Sequence, residues 1–209
     1  MKHDKAVLIR PFPSFAKGIN EATNYPPLGL AYIASFLEST GVKCRIIDAN
    51  LLRLSHKDIL KSVESFDPSI IGITSNIAFA RDANLLSAFL KKRTGRFIVL
   101  GGPFASSMPK KTLEESEADC VIRGEGELVI RNIIKHKLNL KNVKGISYLK
   151  EGKLINNPRE ELIDNLDNLP FPSYDLLPGL DLYRSRSRSH PVAPLLTSRG
   201  CPCQCVYCS

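Results

Sequence analysis

Between Lys5 and about His136 the chain alternates two textures, and that alternation limits its fold more than any other feature. Short apolar runs rich in β-branched residues read as strands buried on both faces: AVLI (6–9), CRIID (44–48), SIIGITS (69–75), RFIVLGG (96–102) and DCVIRG (119–124). Helical spacing fills the gaps. In PPLGLAYIASFLESTG, Leu30, Ile33, Ala34 and Leu37 share one helix face, with Pro26 and Pro27 suited to its start and Gly41 to its stop. SHKDILKSVESF sets Ile59, Val63 and Phe66 on one side, and Ser55 and Asp58 have capping-box spacing. DANLLSAFLKKRTG repeats the pattern through Leu85, Leu86, Phe89 and Leu90 and ends at Gly95. Parallel strands need crossover connections, so five such strands alternating with helices predict a flavodoxin-like doubly wound sheet of order 2-1-3-4-5. Ligands in such folds bind outside the carboxyl ends of the strands, which directs attention to those loops.

After His136 the texture changes. KGISYLKEGKLINNP predicts a hairpin turning at Glu151-Gly152. From Asn156 to Pro194 prolines recur without periodicity, which reads as a linker or strap rather than a core element. VAPLLTSRG (192–200) reads as a new buried strand leading into the cysteines. The expected organisation is a doubly wound domain over 1–140, a hairpin and proline-rich linker over 141–191, and the start of another domain over 192–209.

Composition excludes several classes. With 43% apolar and 24% charged residues the chain can build an ordinary globular core. It shows neither a signal peptide nor a run long enough to span a membrane, which suggests a cytoplasmic protein. The formal charge of +8 invites a nucleic-acid reading, but the one dense basic run, RSRSRS (Arg184 to Ser189), has no aromatic residue interleaved for base stacking. It reads as a solvated loop, and no nucleic-acid partner is expected.

Of the six cysteines, Cys44 and Cys120 sit inside strand-like runs and are expected in the core. The other four crowd into TSRGCPCQCVYCS, where Cys201, Cys205 and Cys208 stand in C-x3-C-x2-C spacing around Cys203. Three thiolates on one short loop suit three irons of a 4Fe–4S cluster, leaving the fourth iron open to a small molecule. Zinc is the chemical rival, although structural zinc sites usually draw ligands from two separated knuckles.

TSRGCPCQCVYCS resembles the cluster-binding signature of radical S-adenosylmethionine enzymes, including the flanking SRGCP and Tyr207 before the last cysteine. The resemblance implies that Cys201, Cys205 and Cys208 hold a 4Fe–4S cluster whose open iron chelates S-adenosylmethionine, with Cys203 a bystander. It also implies that 192–200 is the first strand of a partial barrel. PPLGLAYIASFLESTG, VLGGPFAS and ADCVIRGEGE resemble the cobalamin-binding, Rossmann-like domain that precedes the barrel in one branch of that family. The cofactor contacts expected on that resemblance are Thr74, Ser75, Gly101, Gly102, Pro103, Gly124, Glu125 and Gly126. Gly101 and Gly102 leave room for a flat ligand or its nucleotide tail, and the GEGE turn opens a helix whose first turn favours carboxylates. Two departures stand out. RPFPSFAKGINEATNYPP lacks the histidine that ligates cobalt from below in many cobalamin proteins, and Phe104 replaces the histidine of GGPH.

The resemblance further implies generation of a 5′-deoxyadenosyl radical, methyl transfer to a small-molecule or modified-metabolite substrate, and an electron donor such as flavodoxin or ferredoxin. Radical cyclisation or rearrangement is the second choice of reaction. Only the first strand and cluster loop of a barrel are present, so the chain is expected to be the N-terminal part of a longer protein and inactive alone. A nicotinamide-binding domain would need G-x-G-x-x-G after the first strand, where IRPFPSF has none. A phosphate-accepting response regulator would need aspartates where Arg10-Pro11 and Thr74-Ser75 stand. The remaining rivals are a doubly wound domain kept as scaffold or lid without cobalamin, and a binding module with a zinc-bound tail.

Overall fold

The structure, a computed structural model, describes residues 4–14, 25–183, 189–201, 203, 205 and 206. Among the described residues, seven strands form one sheet in the order β2-β1-β3-β4-β5-β6-β7. The first five, β1 (Lys5–Arg10), β2 (Lys43–Asp48), β3 (Ile70–Thr74), β4 (Phe97–Gly101) and β5 (Cys120–Ile122), are parallel and follow the doubly wound order expected. The hairpin, β6 (Ile146–Lys150) and β7 (Lys153–Asn156), adds two antiparallel strands to the β5 edge rather than standing apart. Its turn has φ of 52° at Glu151 and 74° at Gly152, the pair of positive values that a two-residue type I′ turn requires.

Both faces of the parallel strands are covered, which is why their sequences are apolar at nearly every position. On one face, Ala6, Leu8, Val99 and Cys120 pack against α1 (Leu28–Ser39) and α7 (Gly126–Lys135). On the other, Val7, Ile9, Ile71, Ile98 and Val121 pack against α3 (His56–Phe66), α4 (Ala80–Thr94) and the short α5 (Pro103–Ser107) and α6 (Pro109–Glu115). One further turn, α2 (Ala49–Leu52), follows β2 and is capped by Asp48. Cys44 and Cys120 are buried in the core, as expected. The Ser55–Asp58 capping box is present at the start of α3, and Gly95 closes α4 in the left-handed conformation.

Three local expectations need correction. Leu85, placed on the buried face of α4, is 51% exposed, because the helix is rotated so that Ala83, Leu86, Ser87 and Leu90 face the sheet. The proline-rich stretch is not merely a connector: Leu177 and Tyr183 enter the core from it. It is tied down by Gly145 N–H donating to Pro158 O at 2.7 Å and Ser173 N–H donating to Ala31 O at 3.1 Å. Residues 192–200 form no strand, and Leu195 is 75% exposed. A strand exists by pairing its backbone, and no strand among the described residues lies alongside.

Candidate functional site

The chain leaves β1 for β2 on one side and returns to β3 on the other, so the loops part at the carboxyl ends of β1 and β3. A cavity of about 480 Å³ opens there, the size of small-molecule and cofactor sites. Leu8 and Arg10 of β1, Gly72, Ile73 and Thr74 of β3, Val99 and Gly101 of β4 and Ile122 of β5 line the strand side. Leu30 and Ile33 of α1 and Gly126, Glu127 and Ile130 of α7 line the helix side, and Phe79, Leu196 and Arg199 lie at the loops. The lining is mainly apolar.

Of the residues that the sequence nominates, Thr74, Gly101, Gly102, Pro103, Gly124 and Gly126 line this cavity, whereas Ser75 and Glu125 do not. Ser75 laces loops together: its N–H donates to Gly101 O at 2.7 Å and its carbonyl accepts from Phe104 N–H at 3.1 Å. Its Oγ is buried without a hydrogen-bond partner among the described residues. The adjacent glycines differ in purpose. Gly102 has φ of 95°, and a Cβ there would stand 2.7 Å from the Ser75 carbonyl oxygen, so packing alone demands glycine. A Cβ on Gly101 would meet only Ile122 Cβ at 3.8 Å, so its missing side chain is space given to the cavity. Gly72 was not nominated, yet it lies in the cavity wall, where a Cβ would approach Leu8 Cδ2 at 2.9 Å. Its signal was a glycine breaking a β-branched run, a mark of close approach.

Arg10 lies at one end of the cavity in a buried charge network. Its Nε and Nη2 each donate to Asp48 at 2.7 Å, and its Nη1 donates to Tyr25 O at 2.7 Å. Asp48 is fully buried and also accepts from the Tyr183 hydroxyl at 2.8 Å. Burial and the adjacent Asp48 carboxylate push the Tyr183 phenol well above its ordinary value, so it stays a donor.

At the other end Arg199 meets the GEGE turn. Its Nη2 donates to Glu127 Oε1 at 2.6 Å and its Nη1 to Glu125 Oε1 at 3.4 Å, while its Cζ lies 5.2 Å from the centre of the Tyr32 ring. Glu125 Oε2 also accepts from Ile163 N–H at 2.9 Å, so this carboxylate ties chain segments together outside the cavity. Burial opposes the Arg199 charge, but the hydrogen bond and charge of Glu127, then Glu125, outweigh it and hold the guanidinium above its ordinary value.

Cys201, Cys203 and Cys205 are exposed free thiols, and the Cys203 N–H donates to Cys201 Sγ at 3.5 Å. That bond uses the Cys203 backbone, not its thiol. Among the described residues no three His, Cys, Asp or Glu side chains gather as a metal site. Cys208 and Tyr207 lie outside the described residues, as do 15–24 of the histidine-free loop and 184–188 of the basic run. Phe104 is the second residue of α5 and does not line the cavity. No helix among the described residues is long and apolar enough to cross a membrane.

Comparison with known proteins places this geometry. Residues 18–134 match the B12 binding domain family. An uncharacterized methyltransferase of Pyrococcus horikoshii is 40% identical over 215 residues, covering 100% of this chain and 46% of its own length. The anaerobic magnesium-protoporphyrin IX monomethyl ester cyclase of Rubrivivax gelatinosus is 29% identical over 94% of this chain and 37% of that one. The chain therefore spans less than half the length of these curated relatives. Among solved structures, the cobalamin-dependent S-adenosylmethionine radical enzyme OxsB superposes with a TM-score of 0.71 at 22% identity. That match covers 84% of this chain and 25% of OxsB, and it establishes a common fold.

Proposed function

The chain belongs to the B12 binding domain family, and from that premise we propose that its cavity holds cobalamin for a radical S-adenosylmethionine enzyme that transfers methyl groups. The observation that carries this reading is the juxtaposition of the glycine-opened cavity with the cysteine-bearing segment, whose Leu196 and Arg199 close one side of it. The residues present fit a large, partly apolar group. Gly72 and Gly101 withhold side chains from the cavity, and Leu8, Ile33, Val99, Ile122 and Ile130 offer apolar walls. Thr74 and the Gly124–Gly126 turn offer polar groups at the mouth. The donor chemistry of Cys201, Cys205 and Cys208 likewise suits an iron–sulfur cluster.

Bound cobalamin would supply a transferable methyl group, and the cluster would supply the electron that cleaves S-adenosylmethionine. This chain's own residues orient and shield. Apolar side chains exclude water from the cavity, Arg10 and Asp48 hold the ends of β1 and β2 in register, and the glutamate pair receives the incoming cysteine segment. Methyl transfer takes its support from the methyltransferases among the relatives, and the cyclases favour radical cyclisation as a second reading. A small-molecule substrate and a protein electron donor complete the proposal.

The test uses the full chain with hydroxocobalamin. The cobalamin spectrum should co-elute with the protein through gel filtration, and Gly101→Val, which puts a branched side chain into the cavity, should abolish co-elution while the far-ultraviolet spectrum stays native. Colourless wild-type protein would refute cobalamin binding and favour a scaffold role.

A further inference from the structure

Residues 192–200 cross a folded domain without secondary structure of their own, so side-chain contacts must set their position. Arg199 supplies two ion pairs and a ring contact. It reaches Glu127 on the first turn of α7, Glu125 just before that helix, and the Tyr32 ring on α1. The Arg199 side chain is 17% exposed and that of Glu127 is 5% exposed, unlike an ordinary surface ion pair. A second tether runs from the Tyr174 hydroxyl to the Pro194 carbonyl. Between the two tethers lies Leu196, which together with Arg199 lines the cavity. Gly200 and then Cys201 follow directly.

We propose that Arg199 is a positioning residue that latches residues 194–200 across the cavity mouth and fixes Cys201, which follows them, in register with whatever the cavity holds. The planar guanidinium serves two carboxylates and stacks on an aromatic ring at once, which an ammonium group cannot do. Ligand entering or leaving the cavity must open the latch. The latch in turn sets how far the first cysteine stands from that ligand. For the identity of the ligand, cobalamin, the proposal rests on the function proposed above.

The test compares wild-type full chain with Arg199→Lys, Arg199→Gln and the double variant Arg199→Gln/Glu127→Gln, using three readouts. These are hydrogen exchange of 192–200 without ligand, entry of the apolar dye 1-anilinonaphthalene-8-sulfonate, and release of bound hydroxocobalamin. Arg199→Gln should accelerate all three by about tenfold or more, the scale of a lost charge-assisted hydrogen bond, with Arg199→Lys intermediate. The double variant removes the buried unpaired carboxylate and should recover thermal stability, yet keep fast exchange and fast release. Recovery of slow exchange and release in the double variant would show a purely structural role and overturn the proposal. So would unchanged exchange in Arg199→Gln. If the wild type fails to retain hydroxocobalamin, the cobalamin reading alone falls. Exchange and dye entry then decide the latch, faster rates in Arg199→Gln supporting it and unchanged rates overturning it.

Discussion

Tyr183 gives the sharpest test of how the proline-rich strap is held. Its side chain is fully buried, and its hydroxyl donates at 2.8 Å to Asp48, which also receives two bonds from Arg10 and one from Leu51 N–H. Tyr183→Phe keeps the ring volume and removes one donor to a buried carboxylate. Hydrogen bonds to charged groups contribute about 1.5–3 kcal/mol, and the lower end applies because Asp48 retains its other partners, so a loss of about 1.5–2 kcal/mol is expected. With a urea m-value of about 2.5 kcal/mol/M, the unfolding midpoint should fall by about 0.6–0.8 M. For a chain of this length the corresponding drop in Tm is about 3–8 °C. Tyr183→Ala removes the ring as well and should cost a further ~3–5 kcal/mol, enough to release the strap. The Ser173 amide, bonded to Ala31 O, should then exchange much faster than the amides of β1 and β3. A Tyr183→Phe midpoint within about 0.2 M of wild type would show that the hydroxyl contributes nothing and refute the reasoning.

Further outcomes follow from individual contacts. Gly102→Ala should destabilise the fold by about 1–3 kcal/mol, because φ is 95° and the new Cβ meets a carbonyl oxygen, whereas Gly101→Ala should leave the urea midpoint unchanged. Equal midpoints for the two variants would contradict this. Burial, with Glu38 nearby, pushes the Cys44 thiol up from 9.0 to about 12, and burial beside Asp119 pushes Cys120 the same way. Both contribute stability that is full below pH 9.0 and lost as pH rises through the folded values, so the loss they cause in the urea midpoint should fall in that alkaline range. At pH 8, by roughly that same linkage, iodoacetamide should modify Cys201, Cys203 and Cys205 and spare Cys44 and Cys120 until urea is added. The Ser55 hydroxyl and backbone hold the Asp58 carboxyl below its ordinary 3.8. Its support of α3 is therefore present above that value and lost as pH falls through the lower folded one. Ser55→Ala should lower Tm at neutral pH, with the difference shrinking in acid; a constant difference would count against the capping box.

The parallel strands were legible because they are buried on both faces and so carry apolar residues at nearly every position. Helix ends were legible where one residue has a local physical task, as at Gly95 and the Ser55–Asp58 pair. The same locality explains the failures. VAPLLTSRG has strand-like composition, but composition does not supply a neighbour to pair with. Tyr183 lies in a segment without periodicity, and its burial depends on Asp48, 135 residues away. Glu125 is expected as a ligand contact from its helix-opening turn, and its bonds to other segments could not be read there. Its partner Arg199 is 74 residues downstream, beyond any local pattern. At the site, the glycine-rich loops could be found by their composition. Gly72 carried a signal of its own, but the apolar walls contributed by Leu8, Val99 and Ile130 do not differ in sequence from ordinary core.

The β6–β7 hairpin has a consequence for solubility. Without it, the sheet would end at β5, a three-residue apolar strand whose unpaired backbone would offer a template for another chain. The hairpin occupies that edge and transfers the boundary to β7, which starts at Lys153 opposite Lys150. An incoming strand would have to bring its backbone alongside those charges. The two added strands thus act as a guard against edge-to-edge aggregation, a task separate from anything the cavity does.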